Sequence, residues 1–104
     1  MIVVDELRTY PLEYIKPTVR RFGTLWCHLM NDGTREELHV FAAKLGIPRV
    51  AFQDHPTLWH YDLTPELRER AVHLGAQEVE ILDWIEGDWL QQRIEQTQIG
   101  RAHV

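Results

Sequence analysis

Thr34-Arg35-Glu36-Glu37-Leu38-His39-Val40-Phe41-Ala42-Ala43-Lys44-Leu45-Gly46 is the stretch on which the fold turns. Thr34 and Glu37 have the spacing of a capping box: the threonine hydroxyl can accept from the amide three residues on, and the glutamate can reach back to the cap amide. Leu38, Phe41, Ala42 and Leu45 recur at i, i+3, i+4 and i+7, the apolar stripe of a helix laid on a core. Gly46 stands at the position after the helix where a left-handed residue is favoured, and Pro48 blocks continuation. Val50-Ala51-Phe52 then reads as a short buried strand.

The pattern recurs downstream. Thr64-Pro65 is a cap followed by proline at the first helical position. Leu67, Ala71 and Leu74 form the stripe, Gly75 closes the helix, and Val79-Glu80-Ile81 reads as the next strand. Upstream, Leu25–Met30 has the aromatic and aliphatic content of a strand, and Ile2-Val3-Val4 adds a fourth whose direction is left open. Strand, helix, strand, helix, strand is most simply satisfied by parallel strands with right-handed crossovers. The expectation is therefore an α/β domain of two or three layers, with a mostly parallel sheet of three to four strands and three helices. Residues 1–104 are read as one domain, with an α/β core over 1–82 and a C-terminal helix and tail over 83–104. In that tail Trp84, Ile85, Trp89, Leu90 and Ile94 fall roughly on one side, Gly87 weakens the helix, and residues 96–104 are expected to fray. The two tail tryptophans would cap this chain's own sheet or join a second copy as a homodimer. Residues 8–24, with Pro11, Pro17 and Gly23, read as a long loop, a length usually associated with function or motion.

The chain has 104 residues, 44% hydrophobic and 26% charged, as expected of one packed soluble domain. The formal charge of −5 is uneven, with residues 1–53 at +1 and residues 54–104 at −6. The acidic half speaks against nucleic acid over that surface. Arg8, Lys16, Arg20 and Arg21 form a local basic cluster that suits a phosphate or simply a solvated loop. No apolar run reaches membrane-spanning length. A lone cysteine without a recognisable export signal points to the cytoplasm.

Groups able to do chemistry gather where apolar runs stop. His28 and Asp32 follow the Leu25 strand, Gln53 to Asp62 follow the Val50 strand, and Asp5 closes the first. With strands all pointing alike, Asp5, His28, His39, His60 and Asp62 would converge on the carboxyl edge of the sheet, where α/β folds bind ligands. A mixed imidazole and carboxylate set suits Mn²⁺, Zn²⁺ or Fe²⁺. Each residue also has a plain structural reading: His28 as a hydrogen-bonded strand histidine, Asp32 and Asp62 as helix caps, His55 as turn chemistry, His73 as a charge near a helix C-terminus. Trp26, Trp59 and Tyr61 could stack a base or line a pocket. Cys27 points away from His28 along the strand, so burial suits it better than nucleophilic attack. The glycines form neither a P-loop nor a dinucleotide fingerprint.

Taken together, Asp5, Trp26-x-His28-Leu29, Asp32, Glu37-Leu38-His39, Phe52-Gln53, His60-Tyr61-Asp62-Leu63 and Leu74-Gly75-Ala76 resemble a bacterial and phage family called domain of unknown function four thousand and thirty-one. The resemblance spans roughly residues 1–80. It implies that Asp5, His28, His39, His60 and Asp62 belong to the family pattern, and it carries no activity with it.

The expected function is a metal-assisted or acid-base hydrolase acting on a phosphate ester or nucleotide as its small-molecule substrate. Asp5, His28, His39 and Asp62 would hold a divalent Mn, Zn or Fe ion that acidifies a bound water. His60 would be the general acid or base, and Gln53 and Tyr61 would orient the substrate. The alternatives are a non-catalytic ligand- or protein-binding module that forms a homo-oligomer, and a structural domain whose histidines are satisfied in the core.

Overall fold

Both helices form where their caps place them. In the computed structural model, which describes residues 1–102 and the side chains of residues 1–96, α1 spans Arg35–Lys44 and α2 spans Pro65–His73. Thr34 Oγ1 accepts from the Glu37 amide at 3.2 Å and Thr64 Oγ1 from the Leu67 amide at 3.3 Å. Both helices end alike. The amides of Gly46 and Ile47 donate to the carbonyls of Ala43 and Ala42, as those of Gly75 and Ala76 donate to Val72 and Ala71. This double bond is the Schellman closure, and Gly46 and Gly75 take the positive φ it demands, 77° and 109°.

The sheet departs from expectation. Its strands are β1 (Ile2–Val4), β2 (Arg8–Thr9), β3 (Leu25–Asn31), β4 (Tyr61–Leu63) and β5 (Gln77–Glu78). β3 is the hub: β1, β2 and β4 all pair with it antiparallel, and only β5 runs parallel to its neighbour, β1. The sheet is thus mostly antiparallel with five strands among the described residues, rather than mostly parallel with three or four.

Two misplaced strands, and β2 within the segment read as a loop, account for the difference. Val50-Ala51-Phe52 is no buried strand: Pro48 opens a 3₁₀ turn over Arg49–Ala51, and Val50 is 91% exposed. The chain regains the sheet only through a Gln53–His60 bridge leading into β4. That long connection lets β4 return antiparallel, which a tight crossover would not. The other expected strand, 79–81, slides back to Gln77–Glu78, because Ile81 already begins α3 (Ile81–Ile85). The expected single C-terminal helix is two, α3 and α4 (Asp88–Ala102), split at Gly87. A Cβ there would come within 2.8 Å of Trp89 Cδ1, where the Trp84 and Trp89 rings lie 4.8 Å apart. The helix continues through Ala102, and what was expected of residues 103 and 104 lies outside the described residues.

Strand alternation divides the sheet into two unlike faces. Cys27, Leu29, Tyr61 and Leu63 point inward and pack with Leu38, Ala42 and Leu45 from α1 and its cap and with Ala71 from α2. Leu29, Leu38 and Leu63 are wholly buried, each contributing about 2 kcal/mol through apolar area removed from water. Trp26, His28, His60 and Asp62 alternate with them and leave from the opposite face.

A candidate metal centre on the open sheet face

His28 stands directly opposite Asp62 in the β3–β4 ladder. His60 lies two residues before Asp62 and so shares its face. The ligand atoms of these three residues lie within 4.8 Å of one another, and no other such group of histidine, cysteine and acidic side chains occurs among the described residues. The His28 and His60 rings meet edge to face at 4.8 Å, and His60 Nε2 is 3.5 Å from Asp62 Oδ1.

Each imidazole is held from behind. Asp5, 1% exposed, receives the His28 amide on Oδ1 at 2.6 Å and His28 Nδ1–H on Oδ2 at 2.7 Å. Asp5 is fixed in turn by Arg68, whose Nε donates to its carbonyl at 2.8 Å. His60 Nδ1–H donates to the Leu58 carbonyl at 2.8 Å. With both Nδ1 atoms occupied, Nε2 is the nitrogen each ring leaves for an ion, the orientation in which ligating histidines are held by their outer partners.

His60 holds its proton more firmly than a free imidazole, so metal binding at Nε2 would displace a proton. Burial alone would lower the His60 pKa, but the Asp62 carboxylate and the Leu58 carbonyl outweigh it and raise it above the ordinary value. Tyr10 is raised by burial and then by the carboxylates of Asp5 and Asp62, so its phenol keeps its proton. Burial, then Asp5, pushes the Cys27 thiol up to about 12, in keeping with an inert core residue.

His28 and Asp62 line a cleft of about 490 Å³. Its far wall is the segment after β2, which brings Tyr10, Tyr14, Lys16 and Thr18 over the sheet, while Gln53 and Val50 close another side. The long 8–24 segment read as a loop is therefore the wall of the cleft, built on 3₁₀ turns at Leu12–Tyr14 and Pro17–Phe22.

The structure thus separates the seven residues singled out in the sequence. His28, His60 and Asp62 come together, Gln53 lines the same cleft, and Asp5 stands behind His28. His39 and Tyr61 lie elsewhere: His39 Nδ1 and the Tyr61 hydroxyl bond to each other at 2.7 Å, beside Phe52. Tyr61 is 1% exposed on the core face, one residue out of phase with the site. The expected location at the carboxyl edge of a parallel sheet is also corrected. The groups meet on the face of an antiparallel pair, where directly opposed residues share a side. Tyr61 is buried, Trp59 is covered by the guanidinium of Arg93 and lines a separate pocket, and Trp26 lines the cleft. Of the basic cluster, Lys16 reaches the cleft, while Arg8 pairs with Glu6 and Arg20 Nε bonds the Ile15 carbonyl. Tyr10 went unnoticed in the sequence. Its signal was the unexplained length of its loop.

The molecule is a small mixed α/β domain carrying two anchored histidines and a carboxylate on an open sheet face. It belongs to the family described as Protein of unknown function (DUF4031), whose model matches residues 14–87. No curated protein and no solved structure matches the chain. No helix among the described residues is long and apolar enough to cross a membrane.

Proposed function

We propose that the protein is a metal-dependent hydrolase, with His28 Nε2, His60 Nε2 and an Asp62 oxygen as ligands and a phosphate ester as substrate. The observation that carries this reading is the double anchoring of the imidazoles, Asp5 behind His28 and the Leu58 carbonyl behind His60. Two histidines and one carboxylate suit Zn²⁺, Fe²⁺ or Mn²⁺ and leave coordination positions for water. An ion held by these three residues would supply a bound water acidified toward neutrality. Attack of that water on phosphorus would break the ester P–O bond with its electron pair, the water's proton passing to solvent and the departing oxygen taking up another. Tyr10, whose side chain lines the same cleft, is placed to donate it. Lys16 offers a positive charge to the phosphoryl oxygens, and Gln53 offers an amide to the substrate. In this proposal Asp5 orients a ligand and His60 is itself a ligand, while His39 and Tyr61 support the core.

His60 Nε2 and Asp62 Oδ1 lie 3.5 Å apart, near the roughly 3.3 Å separation that zinc–nitrogen bonds near 2.0 Å imply for a tetrahedral site, and all three ligand atoms fall within 4.8 Å of one another. An ion would have to draw in only the wider pairs. An ion at about 100 times its Kd adds about 2.7 kcal/mol, which in a domain of this size raises Tm by roughly 10–20 °C. The test is thermal unfolding with Mn²⁺, Zn²⁺ or anaerobic Fe²⁺, with His28→Ala and Asp62→Ala as controls, followed by release of phosphate from aryl and nucleoside monophosphates. Stoichiometric binding lost in both variants, with metal-dependent turnover, is the expected result. Absence of binding at millimolar ion ends the metal reading. Binding without turnover of any ester leaves a ligand-binding module, a reading favoured by the exposed Tyr14 and Val50 at the mouth of the cleft, 77% and 91% accessible.

A further inference from the structure

His60 sits at the end of a connection with little regular structure, so something must fix the peptide whose carbonyl holds its imidazole. Within the loop, His55 Nδ1 accepts from the Leu58 amide at 3.1 Å. The other restraint comes from α4. Arg93 Nη1 donates to the Thr57 carbonyl at 2.9 Å, one peptide before the Leu58 carbonyl that anchors His60. Arg93 Nη2 donates to the carbonyls of Asn31 at 3.0 Å and Gly33 at 3.1 Å. The guanidinium also lies 4.0 Å above the Trp59 ring and 4.9 Å from that of Trp89. One side chain thereby ties the His60 loop to the end of β3, the strand that carries His28.

We propose that Arg93 is a positioning residue for the metal centre, holding the Thr57–Leu58 segment so that the Leu58 carbonyl presents His60 with Nε2 toward His28 and Asp62. This rests on the reading of His60 as a ligand. The planar fork is what the position requires, since it reaches three carbonyls while stacking on indole faces. A lysine ammonium has no such plane and is more strongly hydrated. Arg93 lies beyond residues 14–87, so the centre is braced by a helix that the family model does not cover.

The experiment compares wild type with Arg93→Met and Arg93→Lys, using Trp84→Ala as a control that loosens the α3–α4 junction without touching Thr57. Zn²⁺ affinity is measured by chelator competition. The imidazole tautomers of the metal-free proteins are read by long-range ¹H–¹⁵N correlation. Both Arg93 variants are expected to lose roughly tenfold or more in Zn²⁺ affinity, on the scale of other outer-shell changes, and to shift the His60 signals while leaving those of His28 in place. Trp84→Ala should lower Tm with neither effect. Arg93 variants that lose only Tm, with affinity within twofold and an unmoved His60 spectrum, would overturn the proposal, as would full rescue by lysine. Should wild type bind no Zn²⁺, the metal reading fails, and the His60 tautomer alone decides whether Arg93 positions it. Arg93→Lys serves if the methionine variant does not fold.

Discussion

The carboxylate of Asp5 touches His28 twice, once at its amide and once at Nδ1, at 2.6 and 2.7 Å. Backbone and ring of one residue are thus held by one buried side chain. The contact sets the strand and, by accepting Nδ1–H, leaves Nε2 facing the cleft. Asp5→Asn keeps the shape but gives His28 Nδ1 a weaker, uncharged partner. It should lower metal affinity by about 10–100-fold, as outer-shell changes commonly do. Competition titration at constant pH checks this, and an affinity equal to wild type would remove Asp5 from the site.

His39 and Asp62 should respond in opposite ways. Asp62 is 44% exposed at its side chain, so Asp62→Ala should change stability by no more than about 0.5 kcal/mol while abolishing the ion-dependent rise in Tm. His39→Ala strands the buried Tyr61 hydroxyl and should cost about 1–3 kcal/mol, with metal affinity unchanged. Urea unfolding beside metal titration separates the two. Loss of metal binding in His39→Ala would restore that residue to the ligand set.

Cys27 should be silent toward thiol reagents in the native protein. It is 1% exposed, and burial pushes its thiol up to about 12, so at about pH 8 hardly any thiolate exists to react. Stoichiometric labelling is expected only in denaturant. Rapid native labelling would show that β3 opens readily.

Glu6 gives the stability a defined pH dependence. Its carboxylate accepts the Ile81 amide at the start of α3, at 3.1 Å, and Arg8 Nη2 at 3.0 Å. Burial tends to raise its pKa, but the backbone amides and Arg8 outweigh this and hold it below the ordinary 4.5. A depressed folded value means that the contribution is present above the unfolded pKa and disappears as pH falls through the folded one. Glu6→Gln should therefore be less stable than wild type by about 1 kcal/mol near neutral pH. The difference should vanish in acid below the carboxylate range. Equal stability of the two at about pH 7 in urea unfolding would show that Glu6 contributes nothing to the start of α3.

What the sequence by itself determined is mostly local. Helix ends depend on residues three to five apart, so Thr34, Gly46, Thr64 and Gly75 could be read directly, and both helices lie between them. His28, His60 and Asp62 stand out in the sequence as polar groups near the ends of apolar runs, each with a structural reading beside the chemical one. Strand partners are another matter. Nothing near Tyr61 says whether it will run with or against β3, since that depends on how the 45–60 connection returns. A short apolar run such as Val50–Phe52 reads the same whether it enters the sheet or turns away at Pro48. Only the tertiary structure set the antiparallel β3–β4 register, and register decides face: a shift of one residue would have turned Tyr61 and Leu63 to the cleft and buried Asp62. For the same reason Asp5 reads as one more ligand in the sequence and stands behind His28 in the fold. Arg93, far along the chain, meets the Thr57 carbonyl only because α4 packs back across the end of β3.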